Sequence, residues 1–98
     1  MQFEKWMSPR QVAGLLLAEK TDGKLFYELW QRRCKQDAKH GGPSHDDTHT
    51  PEEWCGFVEE FNARALSART DAEQFEDYMF DVAALAVAAI QSSRRKRA

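Results

Sequence analysis

Residues 50–90 read "TPEEWCGFVEEFNARALSARTDAEQFEDYMFDVAALAVAAI" and contain two helix starts separated by a short turn. Each start is a capping box, at Thr50 and at Thr70, in which the Thr side chain and a Glu three residues later cap each other's backbone. Apolar residues recur at helical spacing after both starts. Because a short connection makes consecutive helices antiparallel neighbours, the stretch predicts an antiparallel helix pair. Its expected common core is Trp54, Phe57, Phe61, Phe75, Met79, Val82 and Ala86.

Two further helices are predicted upstream of this pair. A third capping box begins at Ser8, with Pro9 at the first helical position, and predicts a helix that ends at about Lys20. The triplet "TDG" then interrupts the apolar pattern. Helical spacing resumes at Lys24 and continues to about Lys39, which predicts a second helix.

The segment between the two pairs of helices reads "HGGPSHDDTHT" and predicts a loop, because Gly, Pro, Asp and Ser favour turns. No alternating strand pattern and no internal repeat occurs in the sequence. The predicted fold is therefore all-α: a small four-helix bundle whose last two helices form an antiparallel hairpin. It is a single domain over residues 1–98, with a basic tail at 94–98.

Composition places the chain among globular proteins, with 42% hydrophobic and 31% charged residues. No apolar stretch approaches the length that spans a bilayer, so a membrane partner is not expected. Cys34 and Cys55 match no disulfide framework, which favours two reduced thiols in a cytoplasmic protein. A chain of 98 residues buries a small fraction of its surface, and we therefore expect a homodimer or larger homo-oligomer.

The net charge of −2 hides a strong asymmetry along the chain. Residues 1–42 carry eight Lys or Arg against five acids, and residues 43–93 carry eleven acids against two Arg. Duplex nucleic acid needs a basic face, which only the terminal "RRKR" supplies, so it is not favoured as a partner. An acidic middle is typical of cation binding or of a solvated surface.

The carboxylate of Asp81 stands out because it lies within an otherwise apolar run, "FEDYMFDVAALAVAAI". Asp77 precedes it by one helical turn, and Glu59 and Glu60 lie beside the apolar stripe of the previous helix. Two antiparallel helices would bring these carboxylates together, and Mg²⁺ prefers such oxygen ligands. The alternative is a solvated acidic face. That alternative explains Asp77 better than Asp81, whose neighbours one turn onward are apolar.

The loop also carries candidate metal ligands in His40, His45, Asp46, Asp47 and His49. Zinc motifs gain specificity from paired ligands on defined scaffolds, and here the His spacing falls in a loop. The alternative is a polar loop in which Asp and Ser hold turns ahead of a capped helix.

The order of these segments resembles the small MazG-like, all-α nucleoside triphosphate pyrophosphohydrolases. The resemblance covers roughly residues 31–91 through "QRRCKQDAKHGG", the His/Asp loop, "PEEWCGFVEEFNARAL" and "FEDYMFDVAALAVAAI". In that family, helices carrying EExxE and ExxD bind Mg²⁺, and the enzyme cleaves a nucleoside triphosphate to a monophosphate and pyrophosphate. The family's active units are dimers or tetramers.

The family motifs are partly kept. Glu59 and Glu60 stand at the paired glutamates, and the third acid position of EExxE falls on Ala63. Tyr78 replaces the glutamate of ExxD, while Asp81 stands at its aspartate. Either neighbouring acids have been recruited or the fold persists without the chemistry.

The resemblance implies nucleotide binding at a Mg²⁺ site. Its expected catalytic acids are Glu59, Glu60 and Asp81, with Asp77 as a further metal ligand and Lys35 or Lys39 at the phosphates. The alternative is a non-catalytic interaction protein, of the kind that phages and mobile elements encode as inhibitors, which covers a partner protein with its acidic helical surface.

Overall fold

The computed structural model describes the backbone of residues 8–98 and the side chains of residues 8–10 and 22–98. It contains four helices and, within that part of the chain, no strand, which confirms the all-α prediction. They are α1 (Pro9–His40), α2 (Pro43–Asp46), α3 (Pro51–Ser67) and α4 (Ala72–Arg97).

The first two predicted helices are in fact one, α1. The triplet "TDG" does not interrupt it, because a Gly inside a helix costs only about 1 kcal/mol relative to Ala and no proline is present to remove a hydrogen bond. The helix ends where Gly41 and Gly42 adopt positive φ angles of 95° and 72°. The predicted loop is also wrong in part, since it holds the single turn of α2.

Side-chain caps define the starts of α3 and α4. The capping box at Thr50 is confirmed: the backbone N–H of Glu53 donates to Thr50 Oγ1 over 3.2 Å, and the backbone N–H of Thr50 donates to Glu53 Oε1 over 3.0 Å. The predicted cap at Thr70 is one residue early. Asp71 caps α4 instead, by accepting from the backbone N–H of Gln74 over 3.1 Å. Short polar side chains at these positions satisfy N–H groups that have no partner inside the helix.

The central element is α4, on which the other three helices pack. The α3–α4 hairpin is the closest pair, and α1 packs along α4 far more than against α3. Among the residues whose side chains the structure describes, the buried apolar ones are small except for one ring: Trp54, Ala65, Ala68, Ala84 and Ala88. Alanines allow two helices to approach closely, so the larger rings lie at the sides of the contact.

The predicted core is therefore confirmed only in part. Trp54 is buried, whereas Phe75 and Ala86 are exposed. The other four members, Phe57, Phe61, Met79 and Val82, are half-buried.

The chain is more extended than a compact domain of its size. Its Cα radius of gyration is 16.2 Å, whereas about 13 Å is expected for 100 residues. No helix in the described part of the chain is long and apolar enough to cross a membrane.

Candidate functional site

A groove of about 650 Å³ lies over α4, between α1 and α3. Its α1 wall carries Arg32, Lys35 and Lys39, and its α3 wall carries the rings of Phe57 and Phe61. The groove exists because α1 and α3 both pack on α4 and barely contact each other. One wall is cationic and the other is aromatic.

Arg32 holds the two acids that the sequence singled out on α4. Its Nη1 donates to Asp81 Oδ1 over 3.0 Å and to the backbone carbonyl of Asp77 over 2.9 Å, while its Nη2 donates to Asp77 Oδ1. The side chains of Arg32 and Asp81 are only 22% and 19% exposed. Partial burial lowers the pKa of Arg32, but the hydrogen bonds to Asp77 and Asp81 outweigh it and raise that pKa overall. The acid in the apolar run is therefore one half of an ion pair between α1 and α4.

The two glutamates of α3 are placed differently. Glu60 lines the groove and accepts from Arg64 Nη2 over 2.6 Å, whereas Glu59 is exposed and does not line the groove. Among the described residues, no three His, Cys, Asp or Glu side chains are placed to share a metal ion. The four carboxylates predicted to bind Mg²⁺ do not form such a group in this arrangement, and Asp77 and Asp81 are paired with Arg32 instead. Mg²⁺ binding stays a prediction.

Arg33, the next residue, is buried and connects three helices. Its Nε donates to Gln91 Oε1 over 3.2 Å, its Nη2 donates to Asp46 Oδ2 over 3.1 Å, and its Nη1 donates to Asp37. Asp46 is buried as well. The guanidinium therefore joins α1 to α2 and α4.

Asp47, the second acid of "HDD", is fixed to the last turns of α4. It accepts from Ser92 Oγ over 2.8 Å and from Arg95 through Nη2 over 2.8 Å and Nε over 3.0 Å. The hydrogen bond from Arg95, and then that from Ser92, lowers the pKa of Asp47 to about 2. Lys96 Nζ donates to the backbone carbonyl of His49 over 2.7 Å. Two residues of the predicted basic tail, Arg95 and Lys96, thus hold the loop.

Asp47→Asn is expected to flatten the dependence of stability on pH in the acid range. A carboxylate whose pKa is lowered on folding contributes stability above its unfolded pKa and loses it as the pH falls through the folded value. For Asp47 that window lies between about 4, its ordinary pKa, and about 2. Urea unfolding of wild type and variant at pH 7, 4 and 2.5 measures how the free energy of unfolding of each depends on pH. A wild-type stability that falls no faster than the variant's over this range would contradict it.

The loop histidines contact the rings that line the groove. The ring centroid of His49 lies 5.2 Å from that of Trp54 and 4.9 Å from that of Phe57, both edge to face. His45 lies 4.9 Å from His49, again edge to face. These contacts place the imidazoles of His45 and His49 in an aromatic cluster that lines the groove.

The unpaired charges of the groove are its lysines. Each carboxylate that lines it is already paired with an arginine: Asp46 with Arg33, Glu60 with Arg64, and Asp77 and Asp81 with Arg32. Lys35 and Lys39 line the groove without an ion-pair partner anywhere in residues 22–98. The groove lining carries five Lys or Arg against four carboxylates, a net charge of +1, and its two lysines are left to contact an anion.

Sequence reasoning missed Arg32 and Arg33. Both lie within the predicted second helix, and two adjacent arginines in an amphipathic helix were the available signal. Of the site residues predicted from the sequence, Lys35, Lys39, Glu60, Asp77 and Asp81 line the groove and Glu59 does not. Comparisons with models of protein families, with curated proteins and with solved structures found no match for this chain.

Proposed function

We propose that the chain binds a nucleotide in the groove between α1 and α3, with lysines rather than a carboxylate-held Mg²⁺ as the phosphate anchor. The observation that carries the proposal is the charge balance of the groove: every lining carboxylate is paired with an arginine, and Lys35 and Lys39 are not paired. An anion is the ligand that such a surface attracts.

The size and lining of the groove suit a ligand that carries both phosphate and a ring. Its volume of about 650 Å³ falls within the range of roughly 300–1,000 Å³ found for small-molecule sites. Lys35 and Lys39 are one helical turn apart, so both ammonium groups can reach one phosphate chain. Phe57, Phe61 and Tyr78 line the same groove and are half-buried, which leaves ring surface for a base to stack on.

Hydrolysis to a monophosphate and pyrophosphate, which the MazG-like resemblance implies, needs carboxylates free to hold Mg²⁺. In this arrangement Asp77 and Asp81 already share Arg32 as an ion-pair partner. Ala63 and Tyr78 supply no carboxylate at the two remaining family positions. The proposal is therefore nucleotide binding, and we expect no Mg²⁺-dependent release of pyrophosphate.

Replacing both groove lysines, as Lys35→Gln with Lys39→Gln, should weaken nucleotide binding about 10- to 100-fold. A hydrogen bond to a charged group contributes about 1.5–3 kcal/mol, and 1.4 kcal/mol is a factor of ten in affinity. The measurement is calorimetric titration with ATP, once in EDTA and once with Mg²⁺. Pyrophosphate release in the same samples tests the absence of hydrolysis.

The matched control is Lys24→Gln, an exposed lysine of the same helix that lies outside the groove. It should bind ATP with the wild-type affinity, and adenosine, which lacks phosphate, should bind wild type and the double variant alike. The proposal fails if wild type does not bind ATP, or if the control loses as much affinity as the double variant.

A second candidate function is supported by an acidic depression of about 730 Å³ between α1 and the start of α4. Five carboxylates line it against two cations, Arg32 and Lys35, which it shares with the groove. Such an acidic helical surface is what an interaction protein would present to a basic partner. Glu73→Gln with Glu76→Gln should leave ATP affinity within about twofold, because exposed charges outside a site contribute little. If ATP does not bind to any variant, this second function becomes the stronger of the two.

A further inference from the structure

Two uncharged polar side chains line the groove without a hydrogen-bond partner in the part of the chain that the structure describes. They are the amide of Gln36, on α1, and the hydroxyl of Tyr78, on α4. Both residues are half-buried. Among the described residues, no buried side-chain nitrogen or oxygen is left without a partner, so these two unpaired groups are open to the groove. The groove can therefore make neutral hydrogen bonds to a ligand as well as contacts to its charge.

Gln36 lies beside the proposed phosphate anchor. It follows Lys35 directly and precedes Lys39 by three residues, and all three line the groove. Gln36 is half-buried, whereas both lysines are exposed. A ligand whose phosphates contact the exposed lysines therefore extends its base toward the more enclosed part of the groove. There it meets the Gln36 amide on one wall and the half-buried rings of Phe57 and Phe61 on the other.

The chemistry of an amide selects among the purines. The side chain of Gln36, the one amide among the described residues that line the groove, donates through its nitrogen and accepts through its oxygen. Adenine presents the matching pair on one edge, with N7 as acceptor and the N6 amino group as donor. Guanine presents two acceptors, N7 and O6, on the same edge, so the amide can pair there through only one of its two groups.

On the basis of the nucleotide site proposed above, we propose that its ligand is an adenine nucleotide and that Gln36 selects the base. The Gln36 amide nitrogen donates to N7, and its oxygen accepts from the N6 amino group. The aromatic wall adds a preference for purines over pyrimidines, because the larger ring system buries more apolar surface. Lys35 and Lys39 then supply the affinity for phosphate, and Gln36 supplies the choice of base.

Calorimetric titration in EDTA with ATP, GTP, CTP and UTP tests the proposal. Wild type should bind ATP most tightly of the four, and roughly 5- to 150-fold more tightly than GTP, which is the discrimination that a bidentate contact to a base provides. Gln36→Leu should bind ATP and GTP alike. Gln36→Arg should reverse the preference, because arginine donates to both N7 and O6 of guanine. The ratio of the two affinities is the readout, since a loss of fold would weaken both nucleotides together.

The edge of the base is tested with 7-deaza-ATP, in which carbon replaces N7. Wild type should bind it more weakly than ATP, whereas Gln36→Leu should bind the two alike. The matched control is Gln31→Arg, because Gln31 is an exposed glutamine of the same helix that lies outside the groove. This variant should keep the wild-type preference for ATP. Circular dichroism of each variant checks that helix content is unchanged.

Three results would overturn base selection by Gln36 while leaving the nucleotide site intact. They are equal or tighter binding of another nucleotide by wild type, equal binding of ATP and 7-deaza-ATP, and a wild-type ratio of ATP to GTP affinity in Gln36→Leu. In each of these cases the loss of affinity in the double lysine variant still tests the phosphate anchor separately. No binding of any of the four nucleotides to wild type would instead refute both proposals.

Discussion

Arg33→Met should lower the free energy of unfolding by about 3–5 kcal/mol, because removing one partner of a buried ion pair leaves an uncompensated buried charge. Arg33 is 4% exposed and its partner Asp46 is 7% exposed, so the carboxylate has little access to water. Gln91 loses its donor in the same substitution. For a domain of this size a loss of 3 kcal/mol lowers Tm by at least about 12 °C.

Urea unfolding at pH 7 measures the effect, and Arg64→Met is the matched control. Arg64 makes the same kind of ion pair, with Glu60, but on the surface, where the two side chains are 47% and 55% exposed. An exposed pair of this spacing contributes about 0.3–0.5 kcal/mol. Adding Asp46→Leu to Arg33→Met should recover part of the loss, because an apolar pair can replace a buried ion pair. Equal effects at Arg33 and Arg64 would contradict the assignment of Arg33 as the buried link between helices.

The α3–α4 hairpin was predictable because its signals are local. Thr50 and Glu53 cap each other's backbone within the first turn of α3. The short connection between α3 and α4 makes the two helices pack as antiparallel neighbours. Reliance on local signals also explains the wrongly predicted break within α1. A Gly at the end of "TDG" favours a break, but the neighbouring residues are compatible with helix and α1 continues through it.

The partners of the acids could not be read from local patterns. Asp81 lies 49 residues from Arg32, and Ser92 lies 45 residues from Asp47. The sequence marked Asp81 as a carboxylate in an apolar run, for which a metal ion, a salt bridge or a solvated face were the open explanations. The chain's own Arg32 supplies the salt bridge, because α1 packs along α4 in a position that only the folded structure reveals.

The exposure of the rings on α1 could not be predicted from the local sequence either. A helical apolar stripe predicts a buried face but does not say which neighbour buries it. On α1 the rings of Phe26 and Trp30 stay exposed because α4 contacts the helix on another side. Trp54, by contrast, lies where α3 meets its neighbours and is buried.

Asp81→Asn should destabilise the protein by about 1–3 kcal/mol, with or without Mg²⁺, because it removes a charge-assisted hydrogen bond from Arg32 in a partly buried site. Asp77→Asn should cost less than about 1 kcal/mol, since the side chain of Asp77 is 61% exposed. Thermal melts in EDTA and in 10 mM Mg²⁺ measure both variants against wild type.

Arg32→Gln tests the other side of this ion pair, because it removes the guanidinium charge and leaves the carboxylates of Asp77 and Asp81 in place. We expect this variant to lose about 2–3 kcal/mol in EDTA, since two neighbouring carboxylates lose their shared partner. Millimolar Mg²⁺ should then restore part of the loss by binding the folded state alone. Wild type should not respond to Mg²⁺, because Arg32 already occupies the position beside Asp77 and Asp81. The opposite result would be that Mg²⁺ stabilises wild type and that Asp81→Asn abolishes this stabilisation. Mg²⁺ would then displace Arg32 from the two carboxylates. In that case the metal site implied by the MazG-like resemblance, and not the pair of groove lysines, would explain nucleotide binding.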